Sequence, residues 1–215
     1  MLTRDQKQEL ANSLTHGIGW LGSLVGAVLL IAVAVQTGSR LAIAAVGIYC
    51  FSLMLTYGSS TLYHSLVHPG AKKVLQKVDH IAIYFLIGGS YTPFVILFLE
   101  PNIAWPFLGL IWGLVLLGTL YKTWWLDKAP ILSLVFYILL GWMVLLVGRP
   151  MLETLPVFCI AALVAGGLFY TTGVIFYVWK RYTYHHAIWH LFVIGGSVSH
   201  YLGILYGVGK QLPAG

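Results

Sequence analysis

Long apolar runs alternate with short polar breaks along the whole chain. A helix needs about 20 apolar residues to cross the hydrocarbon core of a bilayer. Seven stretches meet that requirement: 17–36, 41–66, 81–99, 103–121, 131–148, 155–179 and 187–208. Thr37-Gly38-Ser39-Arg40, the basic stretch 72–77, Glu100-Pro101-Asn102, Asp127-Lys128-Ala129-Pro130, Arg149-Pro150 and Lys180-Arg181 punctuate them. Membrane strands would alternate apolar and polar residues, whereas these runs are apolar on all sides. The pattern predicts an all-α membrane protein, a bundle of seven transmembrane helices. No linker or shift in composition divides it, so residues 1–215 read as a single domain. The first run follows a polar segment, 4–12, and lacks a small-residue cleavage site, so it reads as a retained helix and not as a removed signal.

Composition agrees. Hydrophobic residues make up 59% of the 215 residues and charged residues 8%, against roughly 25% charged in soluble domains. A water-soluble domain and a disordered chain are both excluded. Cys50 and Cys159 lie in apolar runs and provide neither a disulfide framework nor a thiolate metal site. Orientation follows from the basic loops. With the N-terminus in the cytoplasm, Arg4, Lys7, Lys72, Lys73, Lys77, Lys122, Lys128, Lys180 and Arg181 lie inside and Arg40, Arg149 and Lys210 outside, nine against three. The expected topology is N-terminus cytoplasmic and C-terminus outside. These basic residues read as solvated loops near anionic lipid, with no case for nucleic-acid binding.

No Asp, Glu, Lys or Arg falls deep within a span, which argues against an ion pump or proton-coupled transporter. The titratable groups left are eight histidines. His64 ends the second span, Asp79 precedes the third, and His186 and His190 open the seventh, all expected on the cytoplasmic side. His186 and His190 are spaced i, i+4 and lie on one helical face about 6 Å apart along the axis, a spacing that suits two ligands to one ion. This is not a zincin signature, because Ala187 stands where that motif needs Glu. His64 adds a third imidazole at the same depth. Ser60, one turn before it, could orient it, and Asp79 adds a carboxylate. His68 precedes Pro69 and reads as a loop residue. His80 and His185 point about 100° away from their favoured neighbours and read as interface or loop histidines. His200, some 15 Å further along the seventh helix than His190, reads as a histidine hydrogen-bonded between helices, with Ser or Tyr. His16 caps or packs the first helix and is placed outside the ligand set. The glycine pairs read as close helix packing and Pro93 as a kink in the third helix.

Ser60-x-x-x-His64, Asp79 and His186-x-x-x-His190 together resemble the pattern of the hemolysin III and progestin/adiponectin-receptor (PAQR) family, which belongs to a superfamily with the alkaline ceramidases. The stretches 11–19, Asp79-His80-Ile81-Ala82-Ile83-Tyr84, Tyr91-Thr92-Pro93-Phe94 and Tyr184-His185-His186-Ala187-Ile188-Trp189-His190 are similar to its bacterial membrane-homeostasis branch, over essentially the whole chain. The resemblance implies zinc held by His64, His186 and His190, with Asp79 holding a metal-bound water, Ser60 supporting the site, and a multi-pass location in the bacterial inner membrane. Zinc with three neutral histidines and an open position is a catalytic pattern. The leading expectation is therefore a zinc-dependent hydrolase of a membrane-lipid amide or ester, ceramidase-like, acting in lipid or fluidity homeostasis. Two alternatives stand beside it. One is a non-enzymatic sensor or receptor-like protein with structural zinc. The other is a cytolysin, which the family name suggests and which the lack of any water-stable form opposes.

Overall fold

The computed structural model describes residues 3–125 and 130–213, and all elements among them are helical. The helices are α1 (Arg4–Gln36), α2 (Arg40–Ser65), α3 (Pro69–Phe98), α4 (Pro101–Trp125), α5 (Pro130–Gly141), a 3-10 turn (Met143–Val147), α6 (Gly148–Thr154), α7 (Val157–Val178) and α8 (His185–Gly209). Among the described residues, seven helical segments are long and apolar enough to cross a membrane, with α5, the 3-10 turn and α6 forming the fifth. Asp127, Lys128 and Ala129, expected in the loop before the fifth span, lie outside the described residues.

Successive helices pack side by side from α1 to α4, and α8 packs on both α7 and α1, bringing the last span against the first. Ile18, Leu21, Val25 and Val28 leave an apolar, exposed face on α1; in a bilayer that face meets lipid. The interior is built from Tyr49, Tyr84, Phe94, Ile111 and Ile204, all fully buried. Small residues set the helix crossings. A Cβ on Gly118 would fall within 2.6 Å of the Tyr84 ring, and one on Gly173 of α7 would fall 2.6 Å from Phe192 and 2.8 Å from Trp189, both on α8. Thr56 Oγ1 donates to the Ser52 and Ala82 carbonyls and ties α2 to α3.

Three element boundaries differ from the sequence reading, each for a local reason. The polar segment before the first span is helical: Thr3 caps α1 through a reciprocal box with Gln6, which satisfies two backbone N–H groups at once. The basic stretch 72–77 is also helical, because Pro69 is the first residue of α3 and the His68 side chain accepts the Ala71 N–H at its start. Thus His68 is a helix cap. The fifth span breaks after Gly141 and runs on through Arg149-Pro150 to Thr154. Tyr91 of α3 fills the break. Its hydroxyl lies 3.2 Å from the Leu140 carbonyl, contacts that of Gly141, and accepts the Val144 N–H at 3.1 Å. Helix α3 continues through Pro93.

Candidate metal centre

The end of α2 and the start of α8 bring three imidazoles together. One ring nitrogen from each of His64, His186 and His190 falls within 4.8 Å of the others. The ring centroids are 5.2 Å apart for His64 and His186, 5.3 Å for His64 and His190, and 4.6 Å for His186 and His190. His64 is 6% exposed and His190 1%. Buried imidazole nitrogens this close need either hydrogen-bond partners or a cation.

The hydrogen bonds decide which nitrogens remain available. His64 Nδ1 lies 3.1 Å from Glu9 Oε2. An ionised carboxylate only accepts, so Nδ1 carries the proton and Nε2 keeps its lone pair; that Nε2 is buried and unpaired within the protein. His190 Nδ1 lies 3.2 Å from the Asn12 carbonyl and 3.0 Å from Thr15 Oγ1. The carbonyl accepts, so Nδ1 is again the donor and Nε2 the free base. Both imidazoles are therefore held as the tautomer that offers Nε2 to an ion, with the outer nitrogen anchored, a recurrent arrangement around protein-bound metals. Glu9 is anchored in turn by Lys72 Nζ at 2.8 Å.

Tetrahedral zinc with bonds of ~2.1 Å holds its nitrogens about 3.4 Å apart. In the present cluster the three nitrogens lie within 4.8 Å of one another, so an ion of that size would have to draw the rings inward. The donor set is neutral nitrogen, which suits a borderline transition metal and not calcium or magnesium. The three histidines could thus hold a metal ion.

Ser60 is fully buried one turn before His64, and its hydroxyl has no hydrogen-bond partner among the described residues. Asp79, on α3, lies outside the ligand group but lines the same cavity as His186 and His190. That cavity, about 270 Å³, passes between α3, the broken fifth span, α7 and α8. Ile83, Ile87, Leu134, Trp142, Leu163 and Val193 give it an apolar wall. His80 also borders it, with its Nδ1 2.9 Å from the Gln76 carbonyl. His185 turns away, Nδ1 3.1 Å from the Phe176 carbonyl.

Two features escape the sequence reading. His16 is not a cap. It is 4% exposed and stacks face to face on His190, with centroids 3.5 Å apart and planes 13° from parallel. Neither of its ring nitrogens has a partner among the described residues. The second feature is the contribution of α1, whose residues Glu9, Asn12 and Thr15 hold two of the three imidazoles. A signal for it existed: Thr3-x-x-Gln6 is a helix-start pattern, and from it Glu9, Asn12 and His16 recur at three- and four-residue spacing along one helical face.

The family model for haemolysin-III-related proteins matches residues 4–201. Hemolysin-3 of Bacillus cereus is 38% identical over 205 residues, covering 95% of this chain and 94% of that protein. A Hemolysin-3 homolog of Bacillus subtilis (strain 168) is 40% identical over 200 residues, covering 93% and 94%. Monocyte to macrophage differentiation factor of Homo sapiens is 29% identical over 205 residues, covering 92% and 83%.

Proposed function

Because the chain belongs to the haemolysin-III-related family of multi-pass membrane proteins, we propose that it is a zinc-dependent hydrolase of a membrane-lipid amide or ester, with its N-terminus and metal centre on the cytoplasmic side. The observation that carries this reading is the three-histidine cluster, two of whose members, His186 and His190, line an apolar cavity that Asp79 also lines. Histidine supplies three ligands and leaves a fourth position free, the open pattern of catalytic zinc. When bound, zinc lowers the pKa of water towards neutrality and polarises a carbonyl.

The chain's own residues do the rest. His64, His186 and His190 hold the ion through their free nitrogens. Glu9, Asn12 and Thr15 fix the ring orientations. Asp79 accepts the proton of the attacking water as general base, and Ser60 supports the ligand shell. The apolar wall excludes bulk water and takes the hydrocarbon of the substrate, which selects for lipid over soluble amides and esters.

A second reading draws support from one feature. Helices α2 and α8 are not principal packing partners in the bundle, yet they share the ligands, so zinc could serve as a structural staple in a membrane sensor. Lipid mass spectrometry on membranes carrying wild type, Asp79→Ala and His64→Ala separates the two readings, with zinc measured on each purified protein. Hydrolysis predicts a lipid amide or ester consumed by wild type alone, with zinc retained in Asp79→Ala and lost in His64→Ala. Identical lipid profiles for all three proteins, with zinc bound to wild type, would leave only the staple.

A further inference from the structure

His200 is a buried polar group that neither the metal cluster nor the proposed hydrolysis uses. It lies ten residues beyond His190 on α8, about 15 Å further along the helix axis, and it is 7% exposed. Its ring borders the same cavity as His186 and His190. The fold makes room for it: a Cβ on Gly166 of α7 would collide with the His200 ring, and Tyr170 and Phe94 meet the ring edge-on, with centroids 5.5 and 6.3 Å away.

The other polar groups on this part of the wall are satisfied. Tyr170 hydroxyl pairs with Ser197 at 2.9 Å. Thr171 donates to the Gly167 carbonyl and accepts the Trp142 indole N–H. Ser90 donates to the Ile87 carbonyl, and Tyr91 serves the helix break. His200 is different. Its Nε2 lies 3.4 Å from the Leu163 carbonyl, and its Nδ1 is buried without a partner among the described residues. A carbonyl accepts, so Nε2 carries the proton and Nδ1 is a base with nothing to accept from. An unpaired buried acceptor is destabilising until a donor reaches it.

We propose that His200 is a second recognition point in the cavity, accepting a hydrogen bond from a hydroxyl group on the hydrocarbon of the lipid held there. The ligand class is an amphiphile whose polar head sits at the histidine cluster and whose chain carries a hydroxyl about 15 Å away. The tautomer sets the chemistry: Nδ1 needs a donor, so a hydroxyl is accepted and a keto group at the same position is not. This proposal rests on the reading that the cavity takes a lipid chain, but it requires no hydrolysis.

The test is binding, measured by intrinsic tryptophan fluorescence on the full-length purified protein in nanodiscs. The probes are long-chain fatty acids that are unsubstituted, hydroxylated at successive carbons, or oxidised to the ketone at the best of those carbons. Affinity should peak at one hydroxyl position, about five- to tenfold above the unsubstituted chain, the worth of one buried hydrogen bond. The ketone should fall to the unsubstituted level or below. His200→Phe should remove the hydroxyl gain and keep affinity for the plain chain, and His200→Gln, which retains a hydrogen-bonding group, covers the case in which the phenyl ring disturbs folding. A gain that survives His200→Phe, equal binding of ketone and alcohol, or no dependence on hydroxyl position would overturn the proposal. Selective binding by protein that hydrolyses no lipid would leave it standing and count only against the hydrolase reading.

Discussion

Replacing Glu9 tests whether the first helix takes part in the metal centre. Its carboxylate accepts the His64 Nδ1 proton at 3.1 Å and pairs with Lys72 at 2.8 Å. Removing an anchor behind a metal-bound histidine typically costs 10–100-fold in affinity. The Glu9 side chain is 38% exposed, so water screens part of its charge and the lower end applies. A charge-assisted hydrogen bond of about 1.5 kcal/mol corresponds to roughly tenfold in Kd. Glu9→Ala should therefore weaken zinc binding about tenfold, and Glu9→Gln by less, since its amide oxygen can still accept. Lys72→Ala, at a pair also open to water, should change binding by no more than about twofold. Competition with a chromophoric chelator on detergent-purified protein measures all three. An unchanged Kd in correctly folded Glu9→Ala would refute the reasoning, because His64 would then hold its tautomer without the carboxylate.

Four further outcomes are expected. His190→Ala and His64→Ala should each purify without stoichiometric metal, read by elemental analysis. Chelation should lower the thermal unfolding temperature of wild type, because an ion at 100 times its Kd contributes about 2.7 kcal/mol, and should leave those two variants unmoved. His16→Phe should keep zinc affinity close to wild type while His16→Ala weakens it by up to about tenfold, since a stacked ring pair is worth about 0.5–1.5 kcal/mol; equal effects from both would assign the role to the ring nitrogens instead of the stack. Tyr91→Phe removes the hydroxyl that serves the backbone at the break in the fifth span and should destabilise by about 1–3 kcal/mol, seen as a lower melting temperature without loss of metal.

Much of this was legible in the sequence because the bilayer imposes a coarse rule. A long apolar run must become a helix when no water is present to satisfy its backbone, so the seven spans follow from hydropathy. Depth then groups His64, Asp79, His186 and His190 at one end of the bundle. Hydropathy says nothing about polar residues that continue a helix beyond the apolar core, and so the start of α1 reads as a flanking segment when it is a helix seated against the site. His16 shows the same limit. Its neighbour Gly17 suggests packing, but only the contact of α1 with α8 reveals that it lies on His190. The break in the fifth span depends on a tyrosine fifty positions earlier in the chain, which no local pattern encodes. His200 is correctly read as a histidine between helices, but its partner is a backbone carbonyl and not Ser or Tyr.

The contacts of α1 with the imidazoles join opposite extremes of the polypeptide. Glu9, Asn12 and Thr15 belong to the first of the seven spans, while two of the three rings of the cluster belong to the seventh. With six spans assembled the anchors would be present but only one of the three imidazoles. The three-imidazole cluster is therefore complete only once the seventh span has packed against the first.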